Sequence, residues 1–311
     1  MNNDFVIIKV PDDAAQLPED MGTKGKFWYQ SGEYGAEIQD SLFKFARPNT
    51  GEDWAEKIAA ECCNLLQLPH VNYELASFQD NPGSTSPQML PSNGLLLHGN
   101  EILASWVSSY GSDRHYGASQ HTIELVCQVI DSPDIKPPHK HPLPEGITTA
   151  IGVFVGYILL DTWIGNSDRH HENWAFISLN NELYLAPTYD HGSSLGRELQ
   201  DEIEVGKKSR RQYLESQTVK KYAEKSRSAL YGHVNDKKAL LNFDAFQHLA
   251  LLYPHDAKIW LQNLSKASSD DIMGILKRLS PSRLSPTACA FAHQVLLINQ
   301  QRLLQLRENF P

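Results

Sequence analysis

Long apolar runs are missing from this chain of 311 residues. The longest, Ile151–Leu160, stops at Asp161. It falls well short of the ~18–20 residues that span a bilayer, so no membrane-spanning helix is expected. A basic excess is missing too. Lys and Arg number 28 against 37 Asp and Glu, a net charge of −9. Generic nucleic-acid binding calls for the opposite balance and is not expected. Cysteine is scarce: Cys62, Cys63, Cys127 and Cys289 show no zinc spacing and read as buried free thiols of a cytoplasmic protein. Met1–Val10 lacks the cleavage site of a leader peptide. No Gly-x4-Gly-Lys-Ser/Thr occurs, which excludes a Walker-type phosphate loop. What is left, 41% hydrophobic and 21% charged, describes a globule with room for one large or two modest domains.

One stretch concentrates the chemistry. Gly165-Asn166-Ser167-Asp168-Arg169-His170-His171-Glu172-Asn173 is followed by Tyr189-Asp190-His191-Gly192. Four residues separate Asp168 from Asn173. Kinase catalytic loops use that spacing, the Asp to orient a hydroxyl and take its proton, the Asn to hold a metal. Asp190 in Asp-His-Gly differs by one residue from the metal-binding Asp-Phe-Gly. Phosphoryl transfer needs Mg²⁺ on hard oxygen ligands, which Asn173 and Asp190 supply. Zinc is not expected, since no His-Glu-x-x-His pattern is present.

Upstream residues fit a nucleotide. Met21–Tyr29 sets Gly22, Thr23, Lys24, Gly25 and Lys26 beside an aromatic strand, and glycines let backbone N–H groups approach phosphate oxygens. Ser41–Ala46 reads as a strand containing Lys44, a costly placement without a partner. A helix over 53–66 offers Glu56 and Glu61 as partners, and the pattern does not choose between them. Val71–Phe78 is strand-like and Asn81–Pro87 reads as a turn-rich loop. Met89–Leu90 is the expected nucleotide hinge. This divides the chain into residues 1–91, a small mixed lobe, and 92–311, a mainly helical lobe.

In the second lobe, Asp131–Gly146 is a proline-rich linker and Ile147–Trp163 a buried helix running into Gly165. Trp174–Ile177 and Leu183–Leu185 read as strands joined by an Asn180-Asn181 turn. Asn173 then enters a hairpin that Asp190 leaves. Leu199–Val219 is polar, and helices are expected over 220–230, 243–252, 257–264, 270–279 and 287–306. Asp113-Arg114-His115 repeats the catalytic letters without the downstream Asn and is read as coincidence.

Gly22–Lys26, Leu42–Pro48 with Glu52-Asp53-Trp54-Ala55-Glu56-Lys57, Asn166–Asn173 and Leu185-Ala186-Pro187-Thr188-Tyr189-Asp190 together resemble the HipA-type serine/threonine kinases, over residues 20 to 260 or so. The resemblance implies an α+β, bilobal protein-kinase-like fold and Mg-ATP as donor. It implies Asp168 as base, Asn173 and Asp190 as metal ligands, Lys44 on phosphate, and Glu56 rather than Glu61 as the helix acid. Gly22–Lys26 would cover the phosphates, and Arg169 would steady the loop or the transferred phosphate. The implied partners are a protein with a Ser or Thr acceptor and a small regulatory or antitoxin protein. The chain departs from longer relatives. No subdomain is expected before the glycine loop, a region implicated in dimer and antitoxin contacts in those relatives, and Thr23 is the only hydroxyl between Gly22 and Lys26. A small-molecule or lipid-headgroup kinase and a silent nucleotide-binding module are the alternatives.

Overall fold

The structure, a computed structural model, describes residues 4–14, 17–18, 25–32, 39–111, 117–202 and 206–307. Six short strands, β1 (Ile7–Lys9), β2 (Leu17–Pro18), β3 (Lys26–Ser31), β4 (Gln39–Phe45), β5 (Glu74–Phe78) and β6 (Asn81–Pro87), form one sheet in the order β1-β5-β6-β4-β3-β2. Only the β1–β5 pairing is parallel. Side chains alternate across a strand, and here alternation separates two jobs. Phe27 and Phe43 oppose each other and pack with Phe45 and Phe78 in an aromatic cluster. Lys26 and Lys44 oppose each other at the next register position, on the other face.

The turn-like composition of Asn81–Pro87 misleads. This segment is β6, hydrogen-bonded between β5 and β4. Ser84, Thr85 and Ser86 are buried there, and the Thr85 hydroxyl is bonded to the Tyr29 hydroxyl at 2.9 Å. Gly83 is needed for close approach: a Cβ there would sit 2.3 Å from the Lys44 carbonyl and 2.6 Å from the Phe43 ring. Gly83→Ala is expected to destabilise the fold by about 1–3 kcal/mol through overpacking. An unchanged urea unfolding midpoint would show that β4 and β6 part freely.

Helix α1 (Glu52–Leu66) links β4 to β5 and ends on Gln67, which adopts the left-handed conformation before Pro69 can interfere. Its Trp54, Ala55, Ile58, Ala59 and Cys62 belong to the same hydrophobic core as the helices of the second lobe. α1 therefore packs in one core with helices that follow residue 91. Beyond it come β7 (Leu95–His98), α2 (Gly99–Trp106), α3 (Ile123–Ile130), β8 (Ile135–Lys136), α4 (Ala150–Ile164), β9 (Ala175–Leu179) and β10 (Glu182–Leu185). The four strands form a second sheet, β7-β9-β10-β8. The expected linker thus holds one short strand, β8, paired in parallel with β10. Asn180 and Asn181 take positive φ, the turn that two-residue hairpins favour.

The chain closes with α5 (Arg210–Glu215), α6 (Val219–Ala223), α7 (Asn242–Leu252), α8 (Pro254–Lys266), α9 (Ser269–Leu276) and α10 (Pro286–Leu306). The helix expected over 220–230 is a single short turn, α6. α4 is buried on all sides, capped at its start by Thr149 Oγ1, which accepts from Gly152 N–H at 3.1 Å. Gly165, in left-handed conformation, ends it. No helix among the described residues is long and apolar enough to cross a membrane.

Candidate active site

The buried lysine of β4 finds its partner in a loop of the second lobe. Lys44 Nζ lies 3.3 Å from Asp190 Oδ1 and donates to the Tyr73 hydroxyl at 3.5 Å. That hydroxyl also accepts the Asp190 N–H at 3.3 Å. Burial alone would lower the Lys44 pKa, but Asp190, Tyr73 and Glu56 together raise it well above the usual lysine value. The ammonium stays charged. Burial pushes the Tyr73 phenol up, so it stays protonated. Lys26 stands directly across from Lys44 on the adjacent strand.

Glu56, not Glu61, faces this centre. Its Oε1 accepts the His191 N–H at 2.8 Å. Glu61 is used by Lys57 at 2.7 Å, with Glu74 on the same ammonium at 2.9 Å. His191 is buried, its pKa driven well below the usual value by burial and by Arg169. It is a neutral imidazole, with Nε2 2.8 Å from the Thr188 hydroxyl. It fills the middle position of Asp-His-Gly as an apolar residue would.

The catalytic-loop segment runs from the end of α4 to β9. Asp168 N–H donates to Asn166 Oδ1 at 3.2 Å. Asp168 Oδ1 lies 3.8 Å from His170 Nε2, and Oδ2 accepts from Ser193 Oγ at 3.3 Å. Its side chain is 22% exposed. The Asn173 amide nitrogen donates to the Asp168 carbonyl, which fixes the amide and turns its oxygen into the group available to a cation.

Arg169 does not open on the cleft. It is 0% exposed. Its Nε and Nη2 hold Asp161 Oδ2 and Oδ1 at 2.7 and 2.8 Å. Its Nη1 donates to the Asn173 carbonyl at 2.6 Å and the Tyr189 carbonyl at 3.4 Å. One guanidinium therefore ties the residue carrying one expected metal ligand to the neighbour of the other. Of the two parts read for Arg169, these contacts fit steadying the loop.

Gly22, Thr23 and Lys24 lie outside the described residues, as does Asp113-Arg114-His115. Gly25 accepts the Phe45 N–H at 3.0 Å, which places the end of that loop beside β4. Met89 and Leu90 follow β6 and pack on the cluster of Tyr73, Ala60, Ile177, Ala186 and Tyr189. Among the described residues no group of three or more His, Cys, Asp or Glu could hold a metal by itself. A carboxylate and an amide oxygen with two lysines nearby suit an ion brought in on phosphates, because Mg²⁺ typically takes few protein ligands and substrate oxygens for the rest.

Sequence reasoning missed Tyr73, Asp161, Ser193 and Arg197. Only Asp161 left a signal, as an acid ending the longest apolar run, since a buried charge demands a partner.

Solved structures similar to this one include a Helicobacter pylori proinflammatory kinase, CtkA, at a TM-score of 0.72 and 17% identity, covering 98% of each chain. Another is HipA in its toxin–antitoxin complex with HipB and operator DNA from Shewanella oneidensis, at a TM-score of 0.55 and 12% identity, covering 94% of this chain and 67% of that one. The fold is that of the HipA-like kinases. In this kinase fold Lys44, Glu56, Asp168, Asn173 and Asp190 follow one another in the order of the resemblance. No protein-family model matches the chain, and no curated protein sequence does.

Proposed function

We propose that the protein is an ATP- and Mg²⁺-dependent kinase of the HipA-like type, acting on a Ser or Thr hydroxyl of a polypeptide. The observation that carries this is the Lys44–Asp190 ion pair at 3.3 Å. It joins the strand lysine of one sheet to the Asp-His-Gly carboxylate beyond the other. Such pairing has a use when a charged phosphate and its counter-ion come between the two.

Lys44 and Lys26 supply positive charge to the phosphates. Glu56 holds the His191 backbone and, with it, Asp190. Asp190 and the oxygen of Asn173 would hold Mg²⁺, which would supply neutralisation of the phosphate charge. Asp168 orients the acceptor hydroxyl and takes its proton. Arg169 keeps the loop in place, so catalysis is positioning and charge neutralisation.

The acceptor class has its own support. A cavity of about 250 Å³ lies against the catalytic loop, with Ser167, His170, His171, His121, Arg227 and Tyr231 among its walls. This cavity has room for a side chain that would carry an acceptor hydroxyl towards the loop. HipA's neighbour HipB in the solved complex fits a small regulatory protein as a partner here too.

Chelating Mg²⁺ should stop ADP release, and adding it back should restore it. Asp190→Asn should raise the Mg²⁺ needed for half-maximal turnover by at least about tenfold. It should also erase the thermal stabilisation that Mg-ATP gives the parent. Unchanged Mg²⁺ dependence in that variant would remove Asp190 from the metal site. Incubating an extract with γ-labelled ATP tests the acceptor: label in a protein band supports a polypeptide, and label confined to metabolites overturns it.

A further inference from the structure

Beyond the residues that touch nucleotide or acceptor, a polar chain runs from α1 to the base. Glu52, the first residue of α1, is buried and accepts at one oxygen, Oε1, from Arg47 Nη1 and Arg197 Nη1, each at 2.6 Å. Arg197 Nη2 donates to Ser193 Oγ at 3.2 Å, and Ser193 Oγ donates to Asp168 Oδ2 at 3.3 Å. The backbone reinforces the chain, since Gly51 N–H donates to the Arg197 carbonyl at 2.9 Å.

The turn that presents Ser193 and Arg197 is held in an unfavourable shape. Leu195 has φ +56 and is 1% exposed. Left-handed backbone is costly for a residue with a Cβ and persists where its surroundings impose it. Here Leu195 N–H donates to the Ile164 carbonyl at the end of α4, and Arg197 N–H to the Ser194 carbonyl, each at 3.0 Å. Helix α1 also grips this segment, one turn beyond Glu52, where Glu56 accepts the His191 N–H.

We infer that Ser193 and Arg197 are positioning residues, which set the carboxylate of Asp168 and couple it to α1 through Glu52. The inference rests on the kinase reading above, because it assigns Asp168 the part of base. Physically, the Ser193 hydroxyl pins one carboxylate oxygen and turns the other to the acceptor. Arg197 holds the hydroxyl, and Glu52 holds Arg197. A shift of α1 is thereby felt at the base.

The test uses the full chain and measures ADP release from Mg-ATP. Ser193→Ala should lower kcat by about 10²-fold, the scale on which misplacement by an ångström acts, with KM for Mg-ATP within about twofold and melting temperature unchanged. Ser193→Thr, which restores a hydroxyl, should recover most of the loss. Glu52→Gln should also lower kcat, and the double variant should be no slower than the slower single, since residues in one network are not additive. A Ser193→Ala enzyme with parental kcat, or losses that multiply in the double variant, overturns the inference and leaves the kinase reading intact. A folded, nucleotide-binding parent that turns over no ATP overturns that reading and the inference with it.

Discussion

Asp168→Asn should fold, bind Mg-ATP with its KM little changed, and turn over about 10³-fold more slowly than the parent. The substitution is near-isosteric. The amide oxygen can still accept from Ser193, and the backbone N–H of residue 168 keeps its bond to Asn166. What is lost is the charge and the capacity to take a proton. A positioned general base contributes about 10²–10⁴-fold. The Asp168 carbonyl, which holds the Asn173 amide, belongs to the backbone and survives the change. The metal ligands are therefore left as they were, which is why the loss should sit in kcat. ADP release and a nucleotide-induced thermal shift measure the two halves. A turnover within tenfold of the parent would remove Asp168 from the chemistry.

Asp161→Asn should unfold more easily by about 3–5 kcal/mol, the usual cost of leaving a buried charge without its partner. Both groups lie away from water, at 2% and 0% side-chain exposure. Asp161 meets Arg169 on both oxygens and also accepts from Asn166 Nδ2 at 2.8 Å. Arg169→Lys should not rescue, because an ammonium cannot span a carboxylate and two carbonyls at once. The pair Asp161→Leu with Arg169→Met should recover much of the stability, since an apolar pair of similar volume often replaces a buried ion pair without loss. It should still lack turnover, as nothing then ties the Asn173 and Tyr189 carbonyls together. Urea unfolding and ADP release, taken on all four proteins, separate the parts. A double variant as active as the parent would show that Arg169 serves stability alone.

Some of the fold was plain in the sequence and some was hidden by composition. α1 and α4 stand where apolar periodicity puts them, because each buries a stripe or a whole surface. β6 was hidden because Pro82, Gly83 and Ser84–Ser86 look like a turn. Its place is decided by neighbours: the Tyr29 hydroxyl satisfies Thr85, and the Phe43 ring needs the space that Gly83 leaves. Residues 220–230 went the other way, helical in pattern but mostly irregular in the fold, with Ser228 and Leu230 bonded to Leu240 instead.

For the site, the sequence alone nominated the residues proposed to carry the chemistry. Spacing along a loop and a hairpin is a local property, so Asp168, Asn173 and Asp190 could be named from it, and a lysine inside an apolar strand announced a need for a partner. Which partner, and held by what, only the tertiary structure decided. The pattern leaves Glu56 and Glu61 open and the resemblance prefers Glu56; the fold supplies the physical reason, since the two differ in direction and Lys57 claims the second. Arg169 reads as a residue for the loop or for the phosphate, and its inward direction, onto buried Asp161, is visible only in the fold. Tyr73, Ser193 and Arg197 leave no mark in a linear pattern, because they act through contacts between segments far apart in the chain, and burial and distance exist only once the chain is folded.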